Sequence, residues 1–152
     1  DHGIAECVAA LPNLANNALN DIGESGNPLA HGLKTLPWGQ HSWPLLVSTP
    51  ERAILELLDE LPGGETFESI DILMEGLRTL SPRRVQSLLE ACASIKVVRL
   101  FLWFADRHHH SWLQRLDPGR VRLGSGKRVI AKGGRLQPKY QITVPAGFHG
   151  SE

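Results

Sequence analysis

Apolar residues recur at helical spacing through the middle of the chain. The first stripe consists of Ile54, Leu57, Leu58 and Leu61. Intervals of three and four residues place these side chains on one face of a helix. Ser48 and Glu51 have the spacing of a capping box, and Pro50 suits the first turn. The pattern therefore predicts an amphipathic helix that begins near residue 50 and ends before residues 62–64, a Pro-Gly-Gly stop signal.

Two further helices follow at similar spacing. One runs from Phe67 to about Leu77, and its apolar face consists of Ile70, Leu73, Met74 and Leu77. The next starts after Ser81, a capping residue followed by Pro82, and its apolar face consists of Val85, Leu88, Leu89 and Cys92.

The run from Ile95 to His108 allows two interpretations. Its β-branched and aromatic residues would suit a buried strand. However, the run is longer than an ordinary strand, and helical spacing joins Val97, Leu100, Phe101 and Phe104. We therefore predict a fourth helix here, with a short fifth helix over residues 111–116.

The amino-terminal part of the chain is less regular. Residues 1–42 are rich in Asn, Gly and Pro and predict an irregular arm, with a short helix over residues 7–19 as one option. We expect Trp38 and Trp43 to anchor this arm, because buried indoles contribute a large apolar area. Residues 42–48 predict a short strand, which Pro44 restricts to a sheet edge.

Two short apolar runs, residues 129–131 and 142–144, lie near the carboxyl end and flank a turn. They predict a two-stranded β-hairpin, and residues 147–152 predict a frayed tail. The domain organisation that we expect is an arm (1–42), one folded domain (43–146) and a tail.

These elements predict an α+β fold, with a compact core of four to five helices, a short edge strand and a carboxy-terminal hairpin. Three short helices followed by a basic hairpin is also the layout of winged-helix proteins. In that layout the helix after Ser81 would be the recognition helix, with Arg83 and Arg84 in its first turn. We favour the simpler alternative of an ordinary helical core, because spacing alone seldom settles a topology.

Composition adds limits to this picture. With 41% hydrophobic and 21% charged residues, the chain fits one globular domain, and no apolar run approaches the length of about 20 residues that a membrane helix needs. Two cysteines far apart favour a reduced, cytoplasmic setting. Because the chain begins with Asp1 and has its only methionine at position 74, we interpret it as a fragment of a longer protein.

The zero net charge hides a division along the chain. Residues 1–78 contain 12 acidic and 3 basic residues, a net charge of −9, and residues 79–152 contain 13 basic and 4 acidic residues, a net charge of +9. Such asymmetry suggests a polyanionic partner, an acidic–basic contact within the molecule, or both.

A cationic segment without Asp or Glu contains Arg120, Arg122, Lys127, Arg128, Lys132, Arg135 and Lys139. Together with Arg83 and Arg84, these residues are our candidates for contact with nucleic acid, because phosphate oxygens are a natural counterpart of clustered Lys and Arg. Tyr140 could add a stacking surface. The competing explanation is a charged sheet edge that prevents association between sheets.

The motifs for catalysis or metal binding are weak. Residues 124–128, GSGKR, lack the first glycine of a phosphate-binding P-loop and its magnesium-binding hydroxyl. Adjacent histidines at 108–110 diverge on a helix and suit a solvated helix end better than a metal site. No GxSxG elbow occurs. We therefore predict no catalytic residues, no metal and no cofactor, and we expect that the protein is not an enzyme.

Four blocks within residues 45–145 resemble the carboxy-terminal region of AbiEi-family antitoxins: STPERAILELLDELP, ESIDILMEGLRTLSPRRVQSLLEAC, KVVRLFLWFADRHHHSWLQRLD and LGSGKRVIAKGGRLQPKYQITVP. Residues 1–42 match weakly. Proteins of this family act in type IV toxin–antitoxin and abortive-infection systems, which defend against phage.

The resemblance implies a transcriptional regulator whose amino-terminal winged helix binds operator DNA and whose carboxy-terminal domain neutralises a toxin. The toxin is a nucleotidyltransferase-like enzyme, and no stable complex with it is implied. This chain shows no evident winged helix at its amino terminus, so operator binding would depend on a missing domain, and the basic surface would contact DNA or RNA. The alternative is a protein-interaction or self-association module that does not bind nucleic acid.

Overall fold

The computed structural model describes residues 32–148. The helix suggested near residues 7–19 and the last four residues of the expected tail lie outside this range. No helix within residues 32–148 has the length and apolarity needed to cross a membrane.

The described chain opens with a β-hairpin made of β1, Leu33–Trp38, and β2, Trp43–Ser48. The strands are antiparallel, and Leu33 pairs with Ser48 at the base of the hairpin. The predicted strand at residues 42–48 is therefore confirmed. Its partner β1 lies in the segment that was predicted to be an irregular arm. The strand was missed because Pro37 and the Gly and Asn residues before it are not typical of a strand.

The two tryptophans of this hairpin do not anchor it, so that expectation was wrong. Trp38 and Trp43 pair across the hairpin and are 68% and 67% exposed. Leu36 and Leu45 pair two positions further along the strands, on the same side of the hairpin, and are also exposed. Directly opposed residues of an antiparallel pair lie on one face, so these four side chains form one apolar surface on the hairpin.

Four α-helices follow, and all four were predicted. They are α1, Pro50–Asp59; α2, Phe67–Gly76; α3, Pro82–Ala91; and α4, Ile95–Arg107. The short fifth helix is a 3₁₀ helix, Ser111–Arg115. Together with small antiparallel and mixed sheets, these helices give the predicted α+β fold.

The core is built around α4, in which every residue from Val97 to Ala105 is buried. The other helices each place a fully buried residue against this core, namely Leu58, Ile70 and Leu89. On α2 the predicted face is right for Ile70 and Met74, which are buried, and for Leu77, which packs against the core. It is wrong for Leu73, which is 47% exposed. The central helix, α4, is apolar on nearly all sides, as is typical of a helix at the centre of a domain.

The helix starts match the prediction at α3 but not at α1. Ser81 caps α3, and its hydroxyl accepts a hydrogen bond from the Arg84 N–H. At α1 the capping residue is Thr49, and Ser48 instead donates to the carboxylate of Glu56. Ser48 cannot cap α1 because it is the last residue of β2 and pairs with Leu33.

The carboxy-terminal sheet has three strands, β3, Arg128–Val129; β4, Arg135–Gln137; and β5, Ile142–Val144, in the order β3-β5-β4. The expected pairing of residues 129–131 with 142–144 as a hairpin was wrong, because β3 runs parallel to β5. The hairpin is formed by β4 and β5. A turn at residues 132–134 reverses the chain before β4. This strand was not predicted because it is short, is flanked by Gly and Pro and has only one apolar side chain.

The residues at the start of the expected tail are part of the fold. Phe148 is buried in a short 3₁₀ helix, Ala146–Phe148, and its ring contacts the rings of Phe67 and Trp103. The carbonyl of Phe148 also accepts a hydrogen bond from Arg107. The tail prediction was therefore wrong for residues 147 and 148.

The winged-helix alternative fits the element order poorly. The buried helix α4 lies between α3 and the sheet in the chain, so the sheet does not follow the third helix directly. The described residues form the ordinary helical core that we favoured.

Candidate nucleic-acid interface

Three of the nine predicted cations are already neutralised by carboxylates. Arg84 lies 3.3 Å from the carboxylate of Glu51. Arg120 pairs with Glu90 at 2.9 Å, and Lys139 pairs with Asp106 at 2.5 Å. These three side chains offer less free charge to an external anion than the sequence suggested.

Five other predicted cations are exposed and have no ion-pair partner within residues 32–148. They are Arg122, Lys127, Arg128, Lys132 and Arg135. Arg128 and Arg135 belong to the two outer strands of the sheet, and Lys132 lies in the turn that joins these strands. Arg122 and Lys127 lie in the segment that leads into β3. Two of the five cations therefore belong to the sheet itself, and the other three lie in the segments on either side of β3.

Arg83 is also exposed and unpaired in the described part of the chain, but it lies on α3. The structure does not place it on the sheet with the other cations.

The sheet is held in place by its central strand. Ile142 and Val144 on β5 are completely buried, and Ile130 just after β3 is 6% exposed. The Ile130 N–H donates to the Thr143 hydroxyl at 2.9 Å. Because apolar residues anchor β5 in the core, the outer strands that carry the cations have a fixed position.

The exposed part of the sheet also contains apolar side chains. Val129 and Leu136 flank Thr143 in the register and are 63% and 40% exposed. In the register, Arg128 and Arg135 pair instead with Ile142 and Val144, so these two cations and the small apolar strip lie on opposite faces of the sheet.

Tyr140 does not form a free stacking surface. Its hydroxyl donates to Asp106 at 3.0 Å, and Lys139 binds the same carboxylate oxygen. Burial and then the negative charge of Asp106 raise the pKa of Tyr140 to about 12. Burial alone would raise the pKa of Asp106, but the hydrogen bonds from Lys139 and Tyr140 lower it overall.

Part of the charge division along the sequence is neutralised inside the molecule. In the described chain, three early carboxylates pair with late cations: Glu51 with Arg84, Asp59 with Lys96, and Asp71 with Arg107. The acidic–basic contact that we considered as an alternative therefore exists, but it leaves the five cations of the sheet region free.

The sequence did not reveal one residue that supports this surface. Arg99 lies in the middle of the buried face of α4 and is 3% exposed. Its guanidinium donates to three backbone carbonyls, those of Leu123, Gly126 and Gln141. A single arginine inside an apolar helical run was the available signal, because such a charge needs partners when it is buried.

The three histidines have different environments, so a solvated helix end describes only His109. His108 lies 2.7 Å from a carboxylate oxygen of Asp71, and His110 is buried with its Nε2 bonded to the carbonyl of Met74. No group of three or more potential metal ligands occurs among residues 32–148.

Comparison with known proteins gives the family. The family model described as "Transcriptional regulator, AbiEi antitoxin, Type IV TA system" matches residues 7–145. Because the match covers most of the chain, this chain belongs to that family of antitoxins and transcriptional regulators. The match also begins well before residue 42, so the weak resemblance that we noted for the amino-terminal segment was an underestimate. No curated protein and no solved structure matches the chain.

Proposed function

We propose that this antitoxin is not an enzyme and that its cationic sheet contacts nucleic acid. The observation that carries the proposal is the group of five exposed cations around β3 and β4 that have no ion-pair partner in the described chain. Clustered Lys and Arg side chains bind phosphate groups and release condensed counterions from them.

The contact that we propose is mainly electrostatic. Tyr140 is bonded to Asp106, and the apolar residues exposed on the sheet are Val129 and Leu136, which have no stacking surface for bases. Contacts to phosphate position a protein on nucleic acid without reading its sequence. The family's role in transcription would then need other residues for operator recognition.

Binding can be tested by fluorescence anisotropy with a short DNA duplex and a single-stranded RNA over a range of salt concentrations. We expect log Kd to depend linearly on log salt, with a slope of about 0.9 per contacted phosphate on the duplex. Replacing Lys127, Arg128, Lys132 and Arg135 with Gln should lower this slope by about 4.

Two controls make the binding test specific. Arg115→Gln changes an exposed cation on another element that has no ion pair within residues 32–148, and it should leave the slope unchanged. Arg120→Gln removes a cation that Glu90 already neutralises, so its effect should be well below 1 in slope. An equal effect of all substitutions, or no binding at low salt, would rule out the sheet as the interface.

We also propose that the chain counters a nucleotidyltransferase-like toxin without forming a stable complex with it. Growth of cells that express the toxin should be restored by the chain and not by the four-residue Gln variant. Rescue by both would separate toxin neutralisation from the cationic sheet. Conversion of toxin-modified RNA by the purified chain would show that the protein is an enzyme after all.

The second candidate function is self-association through protein contacts alone. The exposed apolar face of the β1–β2 hairpin, with Trp38 and Trp43 at the end next to the turn, favours this possibility. Light scattering at low and high salt tests it. Self-association would give a molar mass above that of one chain, and this mass should fall when both tryptophans are replaced by Ser. Such a result, in a protein that binds neither DNA nor RNA, would favour this function.

A further inference from the structure

The loop Gly124–Lys127, just before β3, is held in position by hydrogen bonds from one buried side chain, Arg99. Arg99 donates its Nε–H to the Leu123 carbonyl at 2.7 Å and an Nη1–H to the Gly126 carbonyl at 2.6 Å. Burial lowers the pKa of Arg99, and the nearby charge of Arg128 adds to this effect. An arginine nevertheless stays charged in proteins. The carbonyls of Leu123, just before the loop, and of Gly126 are therefore turned inward.

These inward carbonyls fix the direction of two N–H groups. Leu61–Pro62 is the one cis peptide bond within residues 32–148, so the bonds after Leu123 and Gly126 are trans. In a planar trans peptide the N–H points away from its C=O. The N–H groups of Gly124 and Lys127 hence point away from Arg99, both residues are exposed, and neither N–H has an acceptor in the described chain.

The signs of the backbone φ angles alternate along the loop, as they do in anion-binding turns. The φ angle is +66° at Gly124 and +71° at Gly126, and it is negative at Ser125 and Lys127. Such alternation gathers successive N–H groups around a concave site that favours anions. A Cβ atom placed on Gly126 would meet nothing within 4 Å, so this side of the loop is open.

We propose that Gly124–Lys127 is a phosphate-binding loop. Its outward N–H groups donate to phosphate oxygens, Lys127 and Arg128 supply positive charge, and Arg99 is a positioning residue that holds the loop open. The inference deepens the proposed function, on which it rests for its ligand, a phosphate group of nucleic acid. Arg128 stands where a P-loop has its magnesium-binding hydroxyl, so binding does not depend on magnesium.

A second cationic glycine turn provides a comparison within the same molecule. Residues 132–135, KGGR, also combine glycine with Lys and Arg, and Gly133 has a φ of +72° with open space around its Cβ position. However, the Gly134 N–H donates to the Ala131 carbonyl at 3.1 Å. This turn can attract phosphate by charge, but its Gly134 N–H is already bonded and cannot donate to a phosphate oxygen.

The first experiment follows backbone amides of the whole chain by NMR during titration with inorganic phosphate. We expect saturable changes in the amide shifts of Gly124 and Lys127, with and without magnesium, and much smaller changes at Gly133 and Gly134. Equal changes at both turns, or none at residues 124–127, would overturn the proposal.

A matched pair of variants follows. Gly126→Ala and Gly133→Ala each add a Cβ to an open glycine of positive φ, so both carry the same backbone penalty. We expect Gly126→Ala to weaken phosphate binding about tenfold, the effect of losing one charge-assisted hydrogen bond, and Gly133→Ala to leave it unchanged. Equal melting temperatures would show that both variants fold. Equal phosphate affinities in the two variants would overturn the proposal.

The ligand is then identified with a DNA oligonucleotide that lacks terminal phosphates and the same oligonucleotide with a 5′-phosphate. Loop shifts with both support a backbone phosphodiester, and shifts with the second alone support a terminal phosphate. Oligonucleotide binding without loop shifts would overturn the loop but leave the proposed function intact. Loop shifts with inorganic phosphate and no oligonucleotide binding would support the loop and contradict the proposed function.

Discussion

Glu51 has the sequence position of a capping residue but links two helices instead. It is 4% exposed and accepts a hydrogen bond from the Ser81 N–H at 2.9 Å. Arg84 lies against the same carboxylate. Burial alone would raise the pKa of Glu51, but the hydrogen bonds from Ser81 and Arg84 lower it overall. The residue therefore joins α1 to the first turn of α3.

The lowered pKa predicts a pH-dependent contribution to stability. A carboxylate with a depressed pKa stabilises the fold above its unfolded pKa, and this contribution is lost as the pH falls through the folded pKa. We expect Glu51→Gln to reduce the free energy of unfolding at neutral pH by about 1–3 kcal/mol. The difference from the parent should shrink as the pH falls below the ordinary value of 4.5.

Urea unfolding at neutral pH and at pH about 3 checks this prediction. Glu68→Gln is the control, because Glu68 is exposed and makes no ion pair within residues 32–148. A loss of stability that stays the same at both pH values would mean that the charge of Glu51 does not matter.

The single tyrosine of the chain gives a second test at this scale. Its pKa of about 12 is set by burial and by Asp106. Ultraviolet absorbance should therefore show the phenolate near pH 12 in the folded protein, and Asp106→Asn should move the transition toward the ordinary value of 10.0. An ordinary titration in the parent protein would contradict the contact between Tyr140 and Asp106.

At the scale of elements, the segment after α4 completes the end of α2. The carbonyl groups of Met74 and Leu77 at this end accept hydrogen bonds from His110 and from the indole N–H of Trp112. The last carbonyls of a helix lack the usual donor four residues on, and here the Met74 carbonyl accepts from the Leu77 N–H as well as from His110. The histidine-rich segment thus has a structural role that its sequence did not indicate.

Trp112→Phe tests this role. It keeps an aromatic ring in the core but leaves the Leu77 carbonyl without its donor, so we expect a loss of about 1–2 kcal/mol in the free energy of unfolding. Denaturant unfolding of this variant should be compared with Trp43→Phe, whose side chain is 67% exposed and should have little effect on stability. An unchanged stability of Trp112→Phe would mean that water satisfies the carbonyl.

At the scale of the whole molecule, the tryptophans report on the exposed hairpin. Trp38 and Trp43 are exposed, whereas Trp103 and Trp112 are buried. We expect iodide to quench the fluorescence of the exposed pair alone, and the double variant Trp38→Phe, Trp43→Phe to be nearly resistant to iodide. Full protection of the parent chain would show that another surface covers the hairpin in solution.

Which charges remain free of ion pairs is also decided at this scale. The sequence predicted a basic surface from nine cations, and the tertiary structure leaves Arg83 and the five cations of the sheet region free of ion pairs within residues 32–148. Glu51, Glu90 and Asp106 neutralise the others, and all three lie on helices that are distant in sequence from the cation they pair with. Spacing along the chain cannot show which cation meets which carboxylate, because that depends on how the helices pack.

The sequence alone determined the four α-helices, since 3.6-residue periodicity, the Ser81 cap and the proline and glycine signals act between near neighbours. It also determined the family, which the family model matches over residues 7–145. Only the tertiary structure decided the pairing of β5 with β3 and β4, the exposure of Trp38 and Trp43, and the position of Arg99 behind the glycine loop. These features depend on contacts between residues far apart in the chain, where the short-range preferences of the backbone carry no information.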